Sequence, residues 1–110
     1  MAATLARRIA VKVLESAERR KSYVNLALNS RLTGDITKED RARITDLVYG
    51  TSRYLGTIDR HLTPHCKRDL QDLPGPIRAI LRLALYEILY TQTPPPVAVD
   101  QAVELAKMYG

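Results

Sequence analysis

The segment from Pro76 to Tyr90, PIRAILRLALYEILY, decides the fold. Its apolar residues recur at steps of three and four, which places them along one face of an α-helix. That face consists of Ile77, Ile80, Leu81, Ala84, Leu85, Ile88 and Leu89, and Leu83 widens it. Each large side chain would contribute roughly 1.5–3 kcal/mol if fully buried. We therefore expect a central helix that neighbouring helices surround on most sides.

The polar residues of this segment fall outside the apolar face. They are Arg78, Arg82, Tyr86, Glu87 and Tyr90. Each of these side chains must reach solvent, a polar partner or a ligand, because an unpaired polar group is costly to bury.

The rest of the chain also shows helical periodicity. Amphipathic patterns cover residues 5–18, a second helix capped by Ser22, and a third that starts at a capping box, Thr37 to Asp40, and resumes after a possible break near Gly56. Pro76 suits the first turn of the central helix, Thr93 to Pro96 ends it, and a last helix follows that Gly110 would cap. Since no segment alternates with a period of two, we predict an all-α bundle of about six helices.

Length and composition limit the function further. The 110 residues make one domain, 1–110, and a single cysteine, Cys66, excludes an internal disulfide. No apolar run approaches the roughly 20 residues that cross a bilayer, so we expect no membrane association and a cytoplasmic location. The net charge of +5 favours a polyanionic partner. Residues 1–21 hold six cations and two carboxylates, which accounts for +4 of that charge.

The charged rows on two helices are candidate phosphate-binding surfaces. On the first helix, Arg8, Lys12, Glu15 and Arg19 form one row opposite the apolar face. On the third, Arg43, Gly50, Arg53, Thr57 and Arg60 follow the outer side. A solvated helix face is the alternative interpretation of the first row. In the second row Arg53 is the strongest candidate, and the alternative is that it caps a helix or pairs with a carboxylate. Gly50 is unfavourable inside a helix by about 1 kcal/mol relative to Ala, so we expect another helix to approach closely there.

Metal binding and catalysis find little support. His61, His65 and Cys66 have ligand chemistry, but Pro64 disrupts their helical spacing and no fourth ligand is evident. The glycines are scattered, and no strand precedes a glycine-rich loop that would bind a cofactor. We therefore predict no catalytic residue, no metal and no cofactor in this chain.

Several short stretches carry a family resemblance. They are LVYGTSR at residues 47–53, ID at 58–59, ILRLALY at 80–86 and AVDQAVELAK at 98–107, with Tyr23, Asn25 and Leu28 after the first helix and Asp40-Arg41-Ala42 opening the third. In this order they resemble the NusB-like domain over essentially the whole chain. The match is closer to the version at the N-terminus of RsmB/Sun-type rRNA cytosine methyltransferases.

The resemblance implies an all-helical RNA-binding domain. Our main hypothesis is a non-catalytic accessory domain that binds rRNA for a methyltransferase domain in cis, which would use S-adenosylmethionine. The alternative is a free-standing transcription antitermination factor that binds box RNA with a small-subunit ribosomal protein. A helical protein-interaction module is the third possibility. The resemblance also implies a basic RNA-binding helix, which by position would use Arg7, Arg8 and Lys12.

The predicted RNA-binding residues combine the charged rows with two tyrosines that, if exposed, would stack on unpaired bases, the alternative being that these rings pack in the core. They are Arg7, Arg8, Lys12, Arg19, Arg43, Arg53, Arg60, Tyr23 and Tyr54.

Three departures from the family pattern bear on structure. Ser52 stands where a bulky apolar residue is usual, so we expect looser packing, and Pro96 replaces a polar residue. The sequence also stops at Gly110, before the family's closing helix. The central and last helices would then expose an apolar patch, so we expect a domain fragment or a homo-oligomer completed by another copy.

Overall fold

The chain is all α-helical. The computed structural model describes residues 2–109, and within them it has six α-helices, two short 3₁₀ helices and no β-strand. The α-helices are α1 (Leu5–Arg20), α2 (Val24–Arg31), α3 (Lys38–Arg53), α4 (Leu55–Leu62), α5 (Gly75–Tyr90) and α6 (Pro95–Lys107). The 3₁₀ helices Thr63–His65 and Leu70–Asp72 lie in the connection between α4 and α5. The all-α prediction is therefore confirmed.

Capping groups set several helix ends. Thr37 caps α3 as predicted, because its hydroxyl accepts a hydrogen bond from the Asp40 N–H at 3.1 Å. The prediction for Ser22 is wrong, since α2 begins after Tyr23 without a side-chain cap. The predicted break near Gly56 is confirmed and falls at Tyr54, between α3 and α4.

The prolines act as the sequence predicts. Pro76 lies in the first turn of α5, and Pro95 begins α6, where their missing N–H groups would have had no helical partner. The predicted cap at Gly110 lies outside the described residues.

The central helix, α5, contacts α1, α3, α4 and α6 as predicted, but of the predicted apolar face it fully buries only Ile80 and Leu83. Its buried residues are Ala79, Ile80, Arg82, Leu83, Tyr86 and Glu87. Most of the predicted face is only half-buried, and Leu89 is exposed. Ion pairs and a close ring contact, described below, accommodate the polar residues inside, so periodicity alone misassigned the core.

The less buried face of α5 lines an apolar groove. This groove of about 410 Å³ runs between α5 and α6 and is lined by Leu62, Ile77, Ile80, Leu81, Ala84, Leu85, Ile88, Val99, Ala102, Val103 and Ala106. It is the uncovered apolar surface that the sequence predicts for the central and last helices. Patches of this kind favour association.

Gly50 lets the Tyr86 ring pack against α3. A Cβ atom at Gly50 would lie 2.1 Å from the Tyr86 Cζ, closer than any real contact. The predicted close approach is therefore confirmed, with an aromatic ring as the approaching group. The Tyr86 hydroxyl donates a hydrogen bond to Asp46 Oδ1 at 3.0 Å. Burial, followed by the bond to Asp46 and its charge, raises the pKa of Tyr86 to about 12.

An ion network connects α1, α4 and α5. Arg82 donates to both Asp59 oxygens, at 2.9 and 2.8 Å, and also to Glu18, which accepts from Arg78 as well. Burial raises the pKa of the Glu18 carboxyl, but hydrogen bonds from Arg78 and Arg82 and their charges outweigh burial and hold that pKa below its usual value. The network gives the mostly buried guanidinium of Arg82 carboxylate partners for its charge and its N–H groups.

Beside this network lies a cavity of about 240 Å³ that includes Ser52 in its lining. Its position agrees with the looser packing expected where Ser52 replaces a bulky apolar residue. Elsewhere, no helix within residues 2–109 combines the length and apolar character needed to span a membrane.

Candidate nucleic-acid interface

The outer side of α1 carries the basic ridge, which we define as Arg8, Lys12 and Arg19. All three side chains are exposed. The Arg19 Nε donates to Glu15 Oε1 at 3.0 Å, but an exposed i,i+4 pair of this kind contributes only about 0.3–0.5 kcal/mol. Arg19 can therefore leave Glu15 for a phosphate at little cost. The structure thus places three of the predicted cations on one accessible surface.

Lys107 extends the basic ridge from another helix. The last turn of α6 lies beside the start of α1, where Lys107 and Arg8 line the same shallow pocket together with Glu104. Lys107 also donates to Glu104 at 3.5 Å. The sequence alone does not predict Lys107 as part of this surface, because nothing within α6 indicates that its end packs next to Arg8.

Arg7 does not belong to this surface, although the sequence analysis included it. Its side chain is only 5% exposed. Its Nε and Nη2 donate to the two Glu87 oxygens at 2.8 and 2.7 Å, and its Nη1 lies within 3.3 Å of Thr4 Oγ1 and 3.4 Å of Gln101 Oε1. A phosphate would have to displace this buried bidentate pair. We therefore correct the prediction and treat Arg7 as a residue that joins α1 to α5 and α6.

A signal for this burial is present in the sequence. Arg7 precedes Ala10 and Val11 by three and four residues, and both are fully buried, so its position lies within the apolar side of α1. Glu87 is the only acidic residue of the segment 76–90. Opposite charges at two buried helix positions predict a pair, but only tertiary structure shows which charges meet.

Arg43 lies next to the same carboxylate. Its Nη2 is 3.6 Å from Glu87 Oε1, while the side chain remains 48% exposed. Arg7 already occupies Glu87 with two shorter hydrogen bonds. The guanidinium of Arg43 therefore keeps part of its surface for a ligand.

Arg53 and Tyr54 border a second feature, the tyrosine pocket. This pocket of about 360 Å³ lies between α3 and α5 and is lined by Thr45, Asp46, Tyr49, Gly50, Arg53, Tyr54, Tyr86 and Tyr90. The Tyr54 ring stacks on Tyr90 with centroids 4.0 Å apart, and the Arg53 guanidinium carbon lies 5.6 Å from the Tyr54 centroid. One face of Tyr54 is therefore already covered, which limits the base stacking predicted for it.

The remaining predicted residues lie apart from these two features. Arg60 is exposed on α4 and donates to Thr57 at 3.2 Å. Tyr23, the N-cap residue of α2, is 78% exposed and follows the cations at the end of α1. The Tyr23 ring is therefore accessible for stacking on a base.

The residues whose side chains could bind a metal ion do not form a metal site within residues 2–109. His61 and His65 are exposed and Cys66 is half-buried. Within residues 2–109, no group of three or more His, Cys, Asp or Glu side chains is placed to hold a metal ion.

Comparison with known proteins shows the family. The model of the NusB family matches residues 4–110. The chain belongs to the NusB family. It is 36% identical over 109 residues to the transcription antitermination protein NusB of Solibacter usitatus, an alignment that covers 96% of the chain and 75% of that protein. It is also 34% identical over 112 residues to a probable ribosomal RNA small subunit methyltransferase B of Bacillus subtilis, covering all of the chain but 25% of that protein.

Solved NusB structures share the fold. The structure of T. maritima NusB superposes with a TM-score of 0.87 at 30% identity, covering 98% of this chain and 80% of that one. A structure of the antitermination factors NusB and NusE in complex with dsRNA gives a TM-score of 0.87 at 22% identity, covering 96% and 80%, which supports the fold alone. The NusB-like fold inferred from the sequence is therefore confirmed.

Proposed function

We propose that this NusB-family chain binds RNA through the basic ridge and acts as an antitermination-type factor together with a ribosomal-protein partner. The observation that carries the proposal is the row of exposed cations on α1, Arg8, Lys12 and Arg19, which Lys107 extends. Lys and Arg side chains on one accessible face attract the phosphates of RNA whatever its sequence.

The relatives favour this hypothesis over the methyltransferase one. The chain matches three quarters of the Solibacter NusB protein but only a quarter of the B. subtilis methyltransferase. A NusB chain of this fold occurs together with NusE and dsRNA in a solved complex, and the ligands proposed here are of the same two kinds, an RNA and a protein. The sequence-based preference for a methyltransferase accessory domain is thus the weaker of the two hypotheses.

An accessory role remains the second candidate because the 34% identity to the methyltransferase extends over the whole chain. Under that hypothesis the RNA contacts are unchanged, and S-adenosylmethionine would bind to a different part of the longer protein.

The test of RNA binding is a charge reversal on the basic ridge. We expect the double variant Arg8→Glu/Lys12→Glu to lower the affinity for a labelled single-stranded rRNA fragment by about tenfold or more in 0.1 M salt, because two phosphate contacts become repulsive. The double variant Lys38→Glu/Lys67→Glu is the matched control, since it changes the net charge by the same amount at two exposed lysines outside the ridge. Equal affinities for all three proteins would contradict RNA binding by the ridge and favour a protein-interaction module.

A second titration separates the two RNA hypotheses. Adding the purified small-subunit ribosomal protein should increase the RNA affinity of an antitermination-type factor, because the partner adds contacts of its own. An affinity that does not change when the partner is added would favour the accessory role.

A further inference from the structure

The tyrosine pocket has the chemistry of a binding site for one unpaired base. It brings together four of the six tyrosines of the chain: Tyr49, Tyr54, Tyr86 and Tyr90. Its volume of about 360 Å³ falls within the range of small-ligand sites. None of the predicted RNA-binding residues beyond Arg53 and Tyr54 lines it.

One side of the pocket is a rigid column of rings. Tyr90 stacks on Tyr54 at 4.0 Å and on Tyr86 at 5.9 Å. Tyr86 is held by its contact with Gly50 and its hydrogen bond to Asp46, so this side is fixed before any ligand arrives. A preformed site loses little conformational entropy on binding.

Two rings at the mouth of the pocket are exposed to solvent, and one of them, Tyr49, lies outside the column. Tyr49 is 43% exposed and Tyr90 is 39% exposed. Within residues 2–109 the ring of Tyr49 stacks on no other ring, although it lines the same pocket as the column. A nucleobase that stacks on such a ring gains about 1–3 kcal/mol, and the exposed ring loses contact with water.

The polar groups of the pocket suit a base with an amino group. Asp46 is exposed, and only its Oδ1 is used by Tyr86. An ionised carboxylate can only accept hydrogen bonds, so it pairs with an exocyclic amine and repels a phosphate. The single ring N–H of uracil is a poorer donor to it, because this group lies between two carbonyl oxygens that the carboxylate repels. Arg53 at the rim supplies the positive charge for the phosphate that follows the base.

From this arrangement we propose that the tyrosine pocket binds one unpaired nucleotide of the RNA and prefers a base with an exocyclic amine over uracil. Tyr49 stacks on the base, Asp46 accepts from its amine and Arg53 contacts its phosphate. The proposal rests on the RNA-binding function and adds a site and a base preference to it. A peptide ligand is less suited to the pocket than a nucleotide. The flat rings match a base, and the cation at the rim matches the phosphate next to it.

The experiment measures the affinity of the full chain for labelled 12-nucleotide oligo(C) and oligo(U) by fluorescence anisotropy. We expect tighter binding of oligo(C), and a loss of about tenfold on oligo(C) in Tyr49→Leu because base stacking is removed. In Asp46→Asn the preference for oligo(C) over oligo(U) should shrink towards one. Tyr109→Leu is the control, since Tyr109 is 39% exposed at the end of α6 and lies outside the pocket.

The outcomes separate this proposal from the RNA-binding function. Far-UV circular dichroism of each variant first establishes that it is folded. RNA affinity that responds to Arg8→Glu/Lys12→Glu but not to Tyr49→Leu or Asp46→Asn would overturn the pocket proposal alone. If the pocket variants weaken binding of the ribosomal protein and leave RNA affinity unchanged, the pocket is a protein site and the proposal is wrong.

Discussion

Replacing Gly50 with alanine would place a methyl group where the Tyr86 ring already lies. The new Cβ atom would be 2.1 Å from the Tyr86 Cζ and 2.2 Å from its hydroxyl oxygen. The ring is 95% buried by its surroundings, so it cannot swing away without disturbing α3 or Tyr90. We therefore expect Gly50→Ala to destabilise the fold.

The size of the effect follows from three contributions. Alanine in a helix interior favours folding by about 1 kcal/mol relative to glycine. Overpacking costs about 1–3 kcal/mol, and losing the bond from Tyr86 to Asp46 costs about 1 kcal/mol more. The net loss in the free energy of unfolding is about 1–3 kcal/mol, or a fall of ~4–12 °C in Tm for a domain of this size.

Urea unfolding followed by far-UV circular dichroism measures this loss. Gly56→Ala is the control, because its Cβ would meet nothing within 4 Å and Gly56 lies in α4 without a positive φ. We expect that variant to keep or gain up to about 1 kcal/mol. In a Tyr86→Leu background, Gly50→Ala should lower the free energy of unfolding by less than it does in the wild type. Equal stability of Gly50→Ala and Gly56→Ala would refute the packing argument.

Three further predictions concern the interior and the groove. Arg7→Met should lower the free energy of unfolding in urea by about 3–5 kcal/mol, because Glu87 loses its buried partner. The double variant Arg7→Met/Glu87→Leu should recover most of that loss. A variant Arg7→Met with nearly wild-type stability would place Arg7 outside the core. The pKa of Tyr86 is about 12, above the ordinary value of 10.0, so the contribution of Tyr86 to the free energy of unfolding is full below pH 10 and is lost as the pH rises towards 12. In an ultraviolet titration, the wild type should show one more tyrosine ionising near pH 12 than the variant Tyr86→Leu. Sedimentation should show self-association of the wild type that Leu81→Asp in the apolar groove removes, and a wild-type monomer at all concentrations would exclude a homo-oligomer through that groove.

The family motifs predicted the fold well because their residues contact one another across helices. Gly50 accommodates Tyr86, and Asp59 binds Arg82 through both oxygens. Gln101, from the last motif, accepts from the Thr4 N–H at 2.9 Å and donates to the Ala2 carbonyl. A chain that keeps these matched pairs keeps the helix arrangement. The same contacts explain why the motifs say little about what the protein binds.

The site was harder to predict, since a helix pattern does not show which charges are used internally. Arg7 and Arg8 are adjacent in sequence, yet one is buried against Glu87 and the other is exposed. Helical periodicity separates two neighbours by about 100° of rotation but does not locate their partners. Lys107 joins Arg8 only through the packing of α6 on the rest of the bundle. The tyrosine pocket likewise depends on the approach of α5 to α3 at Gly50.

The salt dependence of RNA affinity tests the central claim most directly. Four cations of the extended ridge are expected to contact phosphates: Arg8, Lys12, Arg19 and Lys107. For single-stranded RNA, a plot of log K against log salt should then fall with a slope of roughly −3. A slope near zero, with binding still present, would contradict RNA recognition by the positively charged surface of α1.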